Sequence, residues 1–291
     1  MGALKFGKLY YGWWIALTAL AVNALLSGPT YGSTGLWIDS LEKEFGWGRT
    51  QLAVAFTLGQ FESGIVGPFV GYFIDKIGPK KIAMIGVAIV ASGFLLLTQT
   101  APIGNNPSAI LSPLIFYIAF SLIMLGNTMG GFIPMMVITN NWFTRYRSLA
   151  MAVVTLGFSL GTFIIVPLMA LLISPNVLGW RNASLLVAFI AITLPILLWK
   201  VVDDEPTSPN HVREFKTKEN IPFRKTKPLK TFDFTIYEAI KEKSFWFMGV
   251  GHGASAMLTA TMMVHLILAF NNQGLSLELS ALMWGIAMGI G

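Results

Sequence analysis

Gly67-Pro68-Phe69-Val70-Gly71-Tyr72-Phe73-Ile74-Asp75-Lys76-Ile77-Gly78-Pro79-Lys80-Lys81 closes a long apolar run with a dense group of glycine and charge. Upstream, residues 51–74 carry one charge, Glu62. Downstream, no charge follows Lys81 until Arg145. A glycine such as Gly71 lets two helices approach closely, an acid at a helix terminus can pair with nearby cations, and a second glycine, Gly78, lets the chain reverse tightly. The stretch therefore predicts the mouth of a membrane-crossing helix, with a polar cluster able to form and break contacts.

The same alternation runs through the whole chain. No Asp, Glu, Lys or Arg lies between Lys8 and Asp39, Arg147 and Arg181, or Lys243 and Glu278. A helix needs about 20 mostly apolar residues to cross about 30 Å of hydrocarbon, so each gap holds one or two crossings. With 54% hydrophobic and 12% charged residues and a mean hydropathy of +0.66, the 291-residue chain is too apolar for an ordinary soluble domain. Spans are expected at 11–36, 51–74, 82–100, 112–136, 148–173, 184–202 and 244–270, with an eighth beginning near 279. Residues 279–291 are too few to complete that crossing, so the sequence reads as truncated there. Leu9 to Ile38 is too long for a signal-peptide core and has no clear small-residue cleavage site, which makes it an uncleaved first span.

Lys5, Lys8, Lys76, Lys80, Lys81, Arg145 and Arg147 fall on one side of the alternating topology, and Lys43, Arg49 and Arg181 on the other. Positive charge collects on the cytosolic side, which puts the N-terminus there. The net charge of +6 is thereby explained by topology, and nucleic acid is not expected as a partner. Residues 203–243, rich in mixed charge and with Pro206, Pro209, Pro222 and Pro228, read as a surface linker. Its last part, Phe232 to Lys243, has the spacing of a short amphipathic helix or a lead-in to the seventh span. The chain has no cysteine, which excludes disulfides and thiolate metal sites.

The Gly67–Lys81 stretch resembles the signature G-x-L-x-D-[RK]-x-G-[RK]-[RK] of the major facilitator superfamily, with Gly71, Asp75, Lys76, Gly78, Lys80 and Lys81 matching. Phe73 replaces a small aliphatic residue, and Pro79 displaces the basic pair by one. Asn141-Trp142-Phe143-Thr144-Arg145-Tyr146-Arg147-Ser148-Leu149-Ala150-Met151-Ala152 resembles the W-F-x-x-R-R-x-x-A segment of oxalate/formate antiporter-like and monocarboxylate-transporter-like members, and so does the opening Tyr10-Tyr11-Gly12-Trp13-Trp14. The resemblance implies an all-α polytopic fold of two six-helix halves: residues 1–202 as the first, 203–243 as a cytosolic linker, 244–291 as the start of the second. It also implies alternating-access transport, with Arg145 and Arg147 lining the cytosolic end and meeting Asp75 in a gate that forms in the outward-open state.

Ionisable side chains within the spans are costly and are functional candidates, here Glu62, His252 and His265. Glu62 lies midway along the second span, where proton coupling or substrate contact would sit. The two histidines are thirteen residues apart and face different directions, so no compact metal site forms between them. Gly28-Pro29 breaks the first span, with Asn23, Ser27 and Tyr31 along one face and Thr30 and Thr34 on the next. Such interrupted helices often meet substrate, and Asn127 in the fourth span is a similar candidate. The Gly67/Gly71, Gly157/Gly161 and Gly285/Gly289 pairs suit intramolecular helix packing.

No nucleophile–base pair, phosphate loop, metal spacing or cofactor motif is found, which argues against an enzyme. The expectation is a monomeric secondary transporter in the plasma membrane, with lipid around it. Its substrate would be a small mono- or dicarboxylate, moved by exchange or with protons. The competing readings are a proton-coupled facilitator for a neutral or amphipathic substrate, as in drug or sugar efflux, and a non-transporting sensor or scaffold.

Overall fold

The computed structural model describes residues 10–100, 112–144, 146–204 and 236–290. The helices are α1 (Tyr11–Ser27), α2 (Thr34–Phe45), α3 (Arg49–Ile77), α4 (Pro79–Leu97), α5 (Ser112–Gly130) and α6 (Phe132–Trp142). They continue with α7 (Arg147–Leu160), α8 (Val166–Ile173), α9 (Gly179–Val201), α10 (Ile236–Lys241), α11 (Lys243–Asn272) and α12 (Leu277–Ile290). Wider π turns, Gly28–Gly32 and Gly161–Ile165, join α1 to α2 and α7 to α8. Among the described residues there is no strand, and seven helical segments are long and apolar enough to cross a membrane. The chain is thus all-α and polytopic, as the charge gaps predict. Most of the linker, 205–235, and Arg145 lie outside the described residues.

Local chemistry sets the breaks. Gly46 ends α2 at φ 67°, and Gly78 stands at φ 90° between α3 and α4, a left-handed conformation that favours glycine. Pro79 then occupies the first turn of α4, where its missing N–H costs nothing. Pro29 also lacks an N–H and so cannot continue the α-helical ladder of α1. The chain widens there: the Ser33 N–H reaches back five residues to the Gly28 carbonyl at 2.9 Å, and the Trp37 indole donates to the Pro29 carbonyl at 2.8 Å.

Close crossings are built on glycine. A Cβ on Gly86 of α4 would stand 2.2 Å from the Gly130 nitrogen of α5, and one on Gly126 would stand 2.5 Å from the Val90 nitrogen. Gly157 and Gly161 press likewise on the backbone of α1 at Leu20 and Ala24, which makes that pair an intramolecular packing surface. Gly67 and Gly71 behave differently. Nothing stands within 4 Å of a Cβ at either, so the helix approach expected at Gly71 is not made by the described residues. Apolar side chains such as Leu58, Phe61, Ile65 and Phe69 on α3, and Phe189, Ile192 and Ile196 on α9, remain exposed. Exposed rows of this kind suit hydrocarbon, since helices satisfy their own backbone there.

Candidate functional site: a polar cavity closed at one end

A cavity of about 650 Å³ opens between α1, α3, α5, α7 and α11. One wall is Asn23 and Ser27 of α1 with Tyr31 of the π turn that follows, and its α3 wall is Gln60, Ser63 and Gly64. Asn127 and Thr128 of α5 and Thr155 and Ser159 of α7 add polar groups, and α11 supplies His252, Ser255 and Thr259. The Asn23 amide donates to the Val154 carbonyl at 3.2 Å, which fixes α1 against α7. Tyr31 stands between Phe56 and Phe158, each ring centroid 6.4 Å away, and its hydroxyl faces Asn127, Ser63 and Thr128. Thr128 in turn donates to Ser63 at 2.8 Å. The Ser27 hydroxyl is buried and has no hydrogen-bond partner among the described residues.

The other sequence candidates fall in different places. Thr30 bonds its own helix through the Leu26 carbonyl at 2.6 Å and accepts the Asn127 amide at 3.2 Å, so it supports the wall from behind. Thr34 is likewise spent on the Thr30 and Tyr31 carbonyls. Glu62 is half-buried, but the residues of α3 that line the cavity are Gln60, Ser63 and Gly64. At 100° per residue Glu62 falls on the opposite flank, beside exposed Leu58, Ile65 and Phe69. His265 lines a separate crevice of about 300 Å³ between α3 and α11, which shares Gln60 and Ala260 with the main cavity. Gln60, Ser63, Thr128, Thr155, Ser159, Ser255 and Thr259 were not singled out from sequence. The signal was present in Thr155/Ser159 and Ser255/Thr259, polar pairs four apart in apolar runs.

The three sequence motifs meet at one end of the bundle. Tyr10 donates to the Trp142 carbonyl at 2.5 Å, and Trp13 packs edge-on against Phe143 at 5.0 Å. The Trp142 indole donates to the Asp203 carbonyl at 2.7 Å. Lys80 completes the knot: its backbone N–H donates to Asp204 Oδ1 at 2.7 Å, and its ammonium reaches the Trp199 carbonyl at 3.1 Å and Asp203 at 3.4 Å. A Cβ on Gly78 would stand 2.6 Å from Asp204 Oδ2, a second reason for glycine there. The pairing of Asp75 with Arg147, expected for the outward-open state, is not among the contacts of the described residues. Asp75 is exposed without an ion-pair partner among the described residues, and Arg147 donates to the Phe143 carbonyl at 3.2 Å. Arg145 lies outside the described residues. Lys76 rests over the Tyr72 ring at 4.6 Å and Lys81 is exposed, so the acids that engage this loop come from the end of α9.

Asp204→Ala should then cost about 1 kcal/mol, the loss of a side-chain acceptor at a helix start. Asp75→Ala should change stability by less than about 0.5 kcal/mol, as at an ordinary surface position. Denaturation of both variants in detergent checks this, and equal losses would contradict the latch as drawn.

The opposite end is held by charge. Arg49 donates to Glu42 at 2.5 Å and to Asn272, at the end of α11, at 3.2 Å. Arg181 pairs with Glu44, which also accepts the Trp180 indole. Buried Asp39 pairs with Lys43 at 2.7 Å. Near this end Val264, Ile267 and Leu268 of α11 are buried, whereas its residues 243–258 are exposed. Trp284 of α12 donates to the Gly32 carbonyl at 3.3 Å. Among the described residues α11 is thus packed against the bundle at its Arg49 end and uncovered along residues 243–258.

A family model described as Major Facilitator Superfamily matches residues 10–291. Monocarboxylate transporter 14 of Homo sapiens is 29% identical over 185 residues, covering 63% of this chain and 34% of the relative. The oxalate:formate antiporter of Oxalobacter formigenes is 27% identical over 164 residues, 56% of this chain and 36% of the relative. The gallate transporter of Pseudomonas putida is 26% identical over 188 residues, 64% of this chain and 39% of the relative. The chain thus spans well under half the length of these relatives.

Proposed function

The chain belongs to the Major Facilitator Superfamily and is an integral membrane protein, and on that premise we propose that it forms part of a secondary transporter moving a small organic anion by alternating access. The observation that carries this is a hydrogen-bonding cavity between α1, α3, α5, α7 and α11, with α11 tied to the bundle at Arg49. Its volume accommodates a mono- or dicarboxylate with water. The Ser27 hydroxyl, the Tyr31 phenol and the Asn127 amide supply neutral donors to such a guest. Relatives named for monocarboxylate, oxalate and gallate support the same class. By the excess of Lys and Arg near Lys80, that end of the bundle faces the cytosol, and the membrane we propose is the plasma membrane.

One observation favours a second reading. Among the described residues no Lys or Arg lines the cavity, which suits a neutral or amphipathic substrate. Uptake of radiolabelled lactate, oxalate and gallate into proteoliposomes carrying the full-length protein, with and without a pH gradient or preloaded anion, separates the two. Carboxylate flux in either mode supports the anion. Flux of a neutral solute that carboxylates fail to inhibit would replace it.

Alternating access adds a prediction at the closed end. Arg49→Ala removes the link from Glu42 to Asn272. Because the chain has no native cysteine, a single Val264→Cys, at a buried position of the crevice between α3 and α11, reports opening cleanly. Its labelling by a membrane-impermeant maleimide should rise about fivefold in Arg49→Ala, as expected when about 1 kcal/mol of closing contact is lost. An unchanged rate would remove Arg49 from the gate.

A further inference from the structure

We propose that Ser63 and Thr128 form a hydroxyl-recognising subsite of the cavity, so that the anion moved is one that carries a hydroxyl group as well as its carboxylate. The inference rests on the anion reading above and names the substrate class within it. It follows from where the protons of this wall go. The Ser63 hydroxyl, on α3, donates to the Gly59 carbonyl at 2.8 Å. The Thr128 hydroxyl, on α5, lies 2.8 Å from the Ser63 oxygen and 3.0 Å from the Met124 carbonyl. A carbonyl can only accept, and each hydroxyl has a single proton. Two protons are therefore shared among three acceptors, and the pair has none to offer a guest without giving up a bond it already makes. What it turns to the cavity is oxygen lone pairs. Thr155, on the α7 wall, spends its proton in the same way on the Met151 carbonyl at 3.0 Å.

A donor stands beside these acceptors. The Tyr31 phenol faces Ser63 and Thr128, with its ring fixed between Phe56 and Phe158 and its carbonyl held by the Thr34 hydroxyl at 3.0 Å. The spot between the phenol and the two oxygens asks for a group that accepts on one side and donates on the other. A carboxylate oxygen only accepts and a methyl group does neither, whereas a hydroxyl does both. Seated there, the guest's hydroxyl takes the phenol proton and gives its own to Thr128. Its carboxylate then lies toward the Ser27 hydroxyl and the Gln60 amide, which line the same cavity. Ser63, Thr128 and Tyr31 are all at least half-buried. An analogue with hydrogen in place of the hydroxyl leaves them facing an apolar surface, and unpaired polar groups are how a hydrogen-bonding site rejects such an analogue.

The test uses the full-length protein in proteoliposomes and two radiolabelled pairs that differ by hydroxyl groups alone, lactate with propionate and gallate with benzoate, driven by a pH gradient or by preloaded anion. Wild type should favour the hydroxylated acid of at least one pair by about tenfold or more in kcat/KM. Thr128→Val and Ser63→Ala each remove an oxygen at nearly constant shape. Each should cut that preference by roughly fivefold or more, through slower uptake of the hydroxylated acid with its deoxy partner unchanged. Thr128→Ser keeps the oxygen and should keep the preference. A wild type without preference in either pair overturns the proposal and leaves anion transport standing. So does a preference that survives both oxygen deletions, or an equal loss of both acids in them, which is the mark of a merely structural pair. Absence of flux for all four acids in wild type removes the anion reading and this inference with it.

Discussion

Gly86→Ala should destabilise the bundle by about 3 kcal/mol, the upper part of the range for overpacking a filled interior. The added Cβ meets backbone on the facing helix, the Gly130 nitrogen at 2.2 Å and the Met129 carbonyl carbon at 2.5 Å, and backbone cannot swing aside as a flexible side chain can. Relief requires α4 and α5 to separate along the interface that Gly93 and Gly126 share. Gly67→Ala and Gly71→Ala give the opposite expectation. Among the described residues a Cβ there meets open space, and alanine favours helix over glycine by up to about 1 kcal/mol, so in this chain both should be neutral or stabilising. Unfolding in mixed micelles ranks the three, and a Gly86→Ala protein as stable as wild type would mean that the crossing is looser than described.

Asn127→Leu should lower transport about a hundredfold while leaving a folded protein, a difference of roughly 2.8 kcal/mol at about 1.4 kcal/mol per factor of ten. Asn127 is nearly enclosed, lines the cavity, and donates to Thr30 beside the π turn. Leucine has a similar size, so the wall keeps its shape. It loses the donor toward Thr30 and the polar group facing Tyr31, and each unsatisfied polar partner costs about 1–3 kcal/mol. Asn127→Asp keeps the size and a polar oxygen but adds negative charge, so it should depress anion uptake as strongly. Initial rates in proteoliposomes, normalised to protein, give the comparison; a Leu variant within threefold of wild type would take Asn127 out of the site.

Much of the architecture was legible because charge is excluded from hydrocarbon. The gaps from Lys81 to Arg145 and from Arg147 to Arg181 mark where helices lie, and the break at Gly28-Pro29 follows from a missing N–H. Helix ends were less legible. The second span, expected at 51–74, extends as Arg49–Ile77, since Arg49 and Lys76 keep their charged heads beyond the apolar run while remaining helical. The site was readable only where a local repeat fixes direction. A spacing of four puts Asn23, Ser27 and Tyr31 on one face, and all three line the cavity. Depth in a span says nothing about direction, and so Glu62, at mid-span, falls on a flank away from the cavity. Pairings over long sequence separations were invisible as well. Asp203 and Asp204 look like the start of a polar linker, yet they hold the loop at Lys80, 123 positions away for the Asp203 pair.

The uneven anchoring of α11 has a mechanical consequence. Among the described residues its last turns are embedded at Val264 and Ile267 and tied to Arg49 through Asn272, and the stretch before them touches little. Held at that end, the helix would swing as a rigid arm pivoting near Val264. From there to Lys243 is 21 residues, about 31 Å of rigid arm. A swing of about 10° moves its tip by roughly 5 Å yet shifts atoms near the pivot by less than the width of a water molecule. Side chains along the arm travel in proportion to their distance from the pivot, His252 roughly half as far as Lys243. Small adjustments around Arg49 are in this way magnified at the opposite rim.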